Sequence, residues 1–68
     1  MDVRNRVGAN LRRLRKERGV SQEKFALEHG LDRTYVSGIE RGVRNPTIVV
    51  VQRLADALAV DVAELFAN

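Results

Sequence analysis

The sequence predicts an all-α chain, a compact five-helix bundle. Three observations carry this expectation. Apolar residues recur at helical rather than at alternating spacing. Successive apolar stretches open on Ser21, Asp32, Thr47 and Asp61, residue types that accept hydrogen bonds from the free N–H groups of a first helical turn. The one β-branched run, Ile48 to Val51, has no second strand with which to pair. With 68 residues and no cysteine, the chain holds one small domain that leans on well-made helices or on association, not on disulfides.

The first helix is expected over residues 2–18. At helical pitch Val3, Val7, Leu11 and Leu14 fall within an arc of about 80° that faces a core. Arg6, Arg13 and Lys16 point away, and Gly19 ends the helix. The second, over 21–29, starts at Ser21 with Val20 and Phe25 as a hydrophobic staple, continues as Phe25, Ala26 and Leu27, and ends at His29-Gly30. The third, over 32–41, starts at Asp32 with Leu31 set against Val36 and stops at Gly42. A loop, Val43-Arg44-Asn45-Pro46, follows. The fourth, over 47–59, continues the β-branched run as Leu54, Ala55 and Leu58 at helical spacing, and Pro46 before Thr47 suits a helix start. A short fifth helix, over 61–66, opens on the acidic pair Asp61 and Glu64, with Val60 stapled to Leu65. Residues 1–68 are expected to form one domain. Met1 and the finished fifth helix argue mildly against a piece of a longer chain.

Several functional classes are unpromising. A lone histidine without cysteine excludes Cys/His zinc sites and leaves no metal site or cofactor expected. His29 reads as a helix C-terminal residue meeting the dipole. Ser21 and Ser37 lie beside no base, and there is no Gly-rich phosphate loop, so no enzyme is expected. The N-terminus lacks the apolar stretch of a signal peptide, and no apolar run approaches the ~20 residues of a membrane span. A cytoplasmic protein, without a membrane or small-molecule partner, is the expectation.

The net charge is only +3, but it is unevenly placed. Arg4, Arg6, Arg12, Arg13, Arg15, Lys16 and Arg18 face only Asp2 and Glu17 in the first helix. The segment from Gly19 to Asn45 is neutral, and the last third is acidic. Such a dipolar layout either orients the domain on a polyanion or is a solvated helix face.

The stretch QEKFALEHGLDRTYVSGIE, Gln22 to Glu40, carries the densest signal. Two short helices that cross steeply need a small residue where they touch, Ala26, and a glycine in the turn, Gly30. Phe25, Leu31, Val36 and Ile39 plug the pair onto the remaining helices. This is a helix-turn-helix layout. With Arg33 at 0°, Ser37 falls at about 40°, Arg41 at about 80°, Thr34 at about 100° and Gly38 at about 140°, whereas Val36, Ile39 and Asp32 lie at about 240–300°. One face packs inward. The other offers a guanidinium, two hydroxyls and a bare glycine. Arginine bridges guanine O6 and N7, and a threonine methyl suits a thymine methyl. Arg33, Thr34 and Ser37 are therefore the candidate base-reading residues, the alternative for Arg33 being an exposed helix-start arginine with no partner, disfavoured by the helix dipole. Gly38 costs about 1 kcal/mol relative to alanine in a helix, which a close approach of DNA or of a neighbouring helix would explain.

The motifs LRRLRKERGVSQEKFA, LDRTYVSGIERGVRNPT and LADALAVDVAELF, from Leu11 to Phe66, resemble the Cro/C1-type, or XRE, helix-turn-helix family. LDRTYVSGIERG is similar especially to controller proteins of restriction–modification systems. The resemblance implies a lambda-repressor-like five-helix bundle that acts as a dimer on double-stranded DNA. It implies a phosphate contact at Gln22 and an inter-helix ion pair between Arg15 and Glu40. His29 and Val49 depart from the family pattern, which favours a small or apolar residue and a polar one there.

Further phosphate or minor-groove candidates are Tyr35, Arg41, Arg44 and Asn45. Tyr35 reads equally as half-buried packing, Gln22 as an ordinary first-turn residue, and Arg44 as a solvated loop charge. Arg12, Arg13, Arg41 and Lys24 are phosphate candidates that each contribute more to the field than to a specific contact. Leu65 and Phe66 are adjacent, so both cannot face one small core. With Val49 they are the candidate homodimer interface, the alternative being that Phe66 caps the core. The expected function is a sequence-specific regulator of transcription, repressing by promoter occlusion, with activation through RNA polymerase left open. The rival is a helical protein-interaction module, antitoxin-like or adaptor, that keeps the fold without a specific DNA role.

Overall fold

The computed structural model describes residues 2–68, which fill 29 × 22 × 20 Å. Every helix starts where a side-chain oxygen accepts a first-turn N–H. Asp2 takes the N–H of Arg4 at 2.7 Å and opens α1, Val3–Glu17. Ser21 takes that of Lys24 at 3.0 Å and opens α2, Gln22–Glu28. Asp32 takes those of Thr34 and Tyr35 at 2.7 and 3.3 Å and opens α3, Arg33–Glu40. Thr47 takes that of Val50 at 3.1 Å and opens α4, Ile48–Leu58. The β-branched run is therefore helical, and no strand occurs among the described residues.

The fifth expected helix is not an α-helix. Asp61 caps Val62–Phe66, a short 3-10 helix, so the described residues form four α-helices and a terminal turn. Five residues are too few for a cooperative α-helix, and 3-10 geometry suits short terminal pieces.

The core gathers Val7, Leu11 and Leu14 of α1, Phe25 and Ala26 of α2, Val36 and Ile39 of α3, and Val51, Leu54, Ala55 and Leu58 of α4. Leu65 of the terminal turn completes it, fully buried. That corrects the assignment of Leu65 to a dimer interface: it faces inward, and its neighbour Phe66, 39% exposed, faces out. Val3 is also no core residue. The first turn of α1 overhangs the bundle, and Val3 is half exposed. Leu27 points to solvent as well, because α2 buries only Phe25 and Ala26.

Two polar features set how the layers meet. α1 packs against both α3 and the terminal turn. On the α3 side, Gly8 lies against the carbonyls that end α3. A Cβ there would collide with the oxygen of Ile39 and stand 2.8 Å from that of Glu40. On the other side, the buried Asn10 amide donates to the carbonyls of Leu65 and Ala67 at 2.9 and 2.8 Å. These two bonds hold the terminal turn on α1 and satisfy carbonyls a 3-10 turn leaves open. Asn10→Ala removes both donors, so the expected loss is about 1–3 kcal/mol, read from urea midpoints. Amide exchange over residues 62–67 is expected to accelerate more than over α1.

α4 ends on Ala59, which adopts the left-handed conformation at φ 56°, and its N–H donates back to Asp56. A side chain in that region carries a steric cost that glycine lacks. Ala59→Gly is therefore expected to raise stability by about 1 kcal/mol, seen as a higher Tm.

Candidate nucleic-acid interface

α2 and α3 are joined by a turn whose Leu31 N–H donates to the Ala26 carbonyl at 2.8 Å, with Gly30 at φ +65°. The two helices pack on each other across this turn. Val36 and Ile39 drive the inner face of α3 into the core, 0% and 1% exposed. What remains outward is the face expected from the helical wheel, except Gly38, which is buried. Arg33 and Thr34 are exposed and Ser37 is half-buried, and all three line one shallow concavity with Gln22.

The chemistry of that face includes a group absent from the wheel of α3. Glu23, on α2, brings a carboxylate oxygen to 3.9 Å from the Arg33 guanidinium, with both side chains largely exposed. At this separation and exposure the pair adds little to stability. It does offset the unfavourable placement of a cation at the start of α3.

Gln22 faces two ways. Its backbone opens α2 beside this concavity, but its side-chain amide donates inward to Glu40 Oε1 at 2.9 Å. Glu40 is the centre of a buried network. Arg15 Nε and Nη2 donate to its two oxygens at 2.7 and 3.0 Å, and Arg15 Nη1 donates to the Val20 carbonyl at 2.6 Å. The two ionic side chains are only 7% and 1% exposed. The expected inter-helix pair is thus present and bidentate, and it ties α1, α2 and α3 together. Burial alone raises the Glu40 pKa, but hydrogen bonds from Arg15 and Gln22 and the Arg15 charge outweigh it and hold the carboxyl below its usual value.

The loop after α3 divides its residues. The Val43 and Arg44 N–H groups both donate to the Gly38 carbonyl, at 3.0 and 3.2 Å. This turns the Arg44 side chain back across α3, with its guanidinium carbon 5.9 Å from the half-buried Tyr35 ring. Arg41 caps α3 and is exposed. Asn45 goes elsewhere: it lines a groove with Val3, Pro46, Ile48 and Phe66, apart from the Arg33 concavity. That groove adjoins a second, mostly apolar one lined by Ile48, Val49, Val62 and Phe66. Ile48 and Val49 are 83% and 67% exposed. Sequence reasoning singled out Val49 and Phe66 but missed Ile48, hidden in a run that reads as uniformly apolar. His29 is half-buried, its ring 4.9 Å from that of Phe25.

Residues 11–65 match the helix-turn-helix family described as HTH_3. The chain belongs to this family. Among its relatives, the control protein C.MunI of a Mycoplasma species is 43% identical over 68 residues, spanning 98% of this chain and 92% of that protein. The crystal structure of the restriction–modification controller protein C.AhdI from Aeromonas hydrophila superposes with a TM-score of 0.86 at 48% identity, covering 93% of this chain and 96% of that one. The controller protein C.Esp1396I, solved as a tetramer in complex with its natural 35 base-pair operator, superposes at 0.85 with 36% identity, over 97% and 87% of the two chains. The HTH_3 match covers all of α2 and α3, so the concavity formed by Gln22, Arg33, Thr34 and Ser37 lies within the family's own segment. Among the described residues no helix is long and apolar enough to cross a membrane.

Proposed function

We infer that this HTH_3 protein is a sequence-specific, double-stranded-DNA-binding regulator of transcription that acts as a homodimer in the cytoplasm. The observation that carries the reading is the outward face of α3. Arg33, Thr34 and Ser37 stand together on it while Val36 and Ile39 are buried behind it. Arg33 supplies a bidentate donor for guanine, Thr34 a methyl and a hydroxyl, and Ser37 a hydroxyl. Arg41 and Arg44 flank the face with phosphate-binding charge, and the basic α1 supplies field. The controller protein seen on its own operator, a relative of similar fold, supports double-stranded DNA as the partner.

Homodimerisation rests on the exposed Ile48, Val49 and Phe66, which form one apolar area beside α4 and the terminal turn. Two copies joined about a twofold axis there would present two α3 helices to one side of a duplex. Half-sites would then lie about 34 Å apart on a pseudo-palindrome. Occlusion of a promoter is the simplest output, with contact to RNA polymerase as a second. The 68 residues act as one DNA-binding domain in this account.

Selection of bound duplexes from a random pool tests the reading. The expected product is a pseudo-palindrome with half-sites one helical turn apart. An unenriched pool, with equal binding to all duplexes, would overturn sequence-specific recognition, and no DNA shift even at low salt, with a tight protein partner on pull-down, would leave only a helical interaction module.

A further inference from the structure

Gly38 is the one helical position of α3 whose residue type the backbone does not explain. Its neighbours Ser37 and Ile39 continue the helix, and glycine is the poorest ordinary residue there. What surrounds it does explain it. The three atoms nearest to an added Cβ all belong to Arg44: Cγ at 2.5 Å, Nε at 3.4 Å and Cδ at 3.5 Å. Beyond Gly38 the same side chain reaches the Tyr35 ring, with the guanidinium carbon 5.9 Å from its centroid. A cation at that distance over an aromatic face is attracted to it. The Gly38 carbonyl also accepts the N–H groups of Val43 and Arg44, which fixes where the arginine leaves the backbone.

We propose that Gly38 is a positioning residue for DNA binding: its bare Cα is a seat for the Arg44 stem. The seat lays Arg44 along α3 before DNA arrives, so that Arg44 acts with Arg33 as a second, pre-set arm of the reading face. This rests on the DNA-binding reading above and deepens it. The physical gain is preorganisation. An arginine whose stem already lies against α3 loses less rotamer freedom on binding than one ordered from solvent. Alanine at position 38 fits the helix but not the arginine. Its methyl group meets Cγ, close to the backbone, so Arg44 must change its χ1 rotamer and leave Tyr35.

The test is a double-substitution cycle on the selected operator, read by fluorescence anisotropy at fixed salt, with a thermal melt of each variant. Arg44→Ala is expected to weaken operator binding by about tenfold, the scale of removing one charged hydrogen-bond donor from the DNA surface. Gly38→Ala is expected to weaken it by a comparable factor while Arg44 is present. The double variant is expected to bind no worse than Arg44→Ala alone. It is also expected to melt about 4–8 °C above Arg44→Ala, because alanine is then the better helix residue with nothing to displace. A merely structural Gly38 would instead lower the melting point in both backgrounds. Wild-type operator affinity in Gly38→Ala, or losses that multiply in the double variant, would overturn the proposal. Arg33→Ala in the same series separates the two failures. If it loses operator binding while Arg44→Ala does not, the seat is refuted and the DNA-binding reading stands. If neither substitution matters, the DNA-binding reading itself falls.

Discussion

Glu40→Ala is expected to cost about 3–5 kcal/mol of folding stability, because it leaves the Arg15 guanidinium buried without its counter-charge. A chain of this length has only about 3–10 kcal/mol in total. The variant is therefore expected to be largely unfolded or close to it, with a collapsed far-UV signal on mild heating. Its failure to bind DNA would report a disrupted fold, not a missing base-reading group. The control replaces both partners. Arg15→Met with Glu40→Leu removes the charges together and is expected to recover most of the stability, since apolar side chains of similar size fill such sites well. The pair also carries a pH signature. The Glu40 pKa is lowered in the folded state. Its stabilisation is therefore full above the unfolded glutamate value of 4.5 and is lost as pH falls through the folded value. Urea midpoints are expected to decline from neutral pH into that acid range, and Glu40→Gln is expected to flatten that part of the decline.

Arg33→Ala carries the second large effect, on recognition. A bidentate arginine–guanine contact supplies about 1–3 kcal/mol of discrimination, and a symmetric dimer makes it twice. The substitution is therefore expected to lower operator affinity by about 30-fold or more. Its cost to stability is expected to be small, since Arg33 is exposed and its ion pair with the exposed Glu23 is long, at 3.9 Å. Selected sites should lose information at one base pair of each half-site and keep it elsewhere. Binding titrations against operators changed at single positions check this.

Much of the fold was legible because helix starts are local. Ser21, Asp32, Thr47 and Asp61 each cap the element expected of them. The outward face of α3 was legible for the same reason, since one helix wheel separates the buried Val36 and Ile39 from Arg33 and Ser37. What escaped depends on how distant segments meet. Adjacency alone could not decide between Leu65 and Phe66. The choice follows from the docking of the terminal turn, held by Asn10 of α1. Gly8 is silent in a periodicity that scores only apolar residues, yet it permits α1 to meet the carbonyls of α3. Glu23 lies on a different helix from Arg33, and Arg44 reaches Gly38 only because the loop turns back. Ala59 gave no glycine signal for the left-handed residue that ends α4.

The proposed DNA binding divides labour between two helices, with α3 to read bases and the basic α1 to supply field. The most direct measurement is the ratio of operator to scrambled-duplex affinity across a salt series. It compares the wild type, Arg33→Ala, and a variant with Arg12→Gln and Arg13→Gln. Arg33→Ala is expected to collapse the ratio and change the salt slope by about one unit or less. The α1 variant is expected to weaken both duplexes alike, keep the ratio and flatten the slope. Equal weakening of both duplexes by Arg33→Ala, with the ratio intact, would contradict this division of labour.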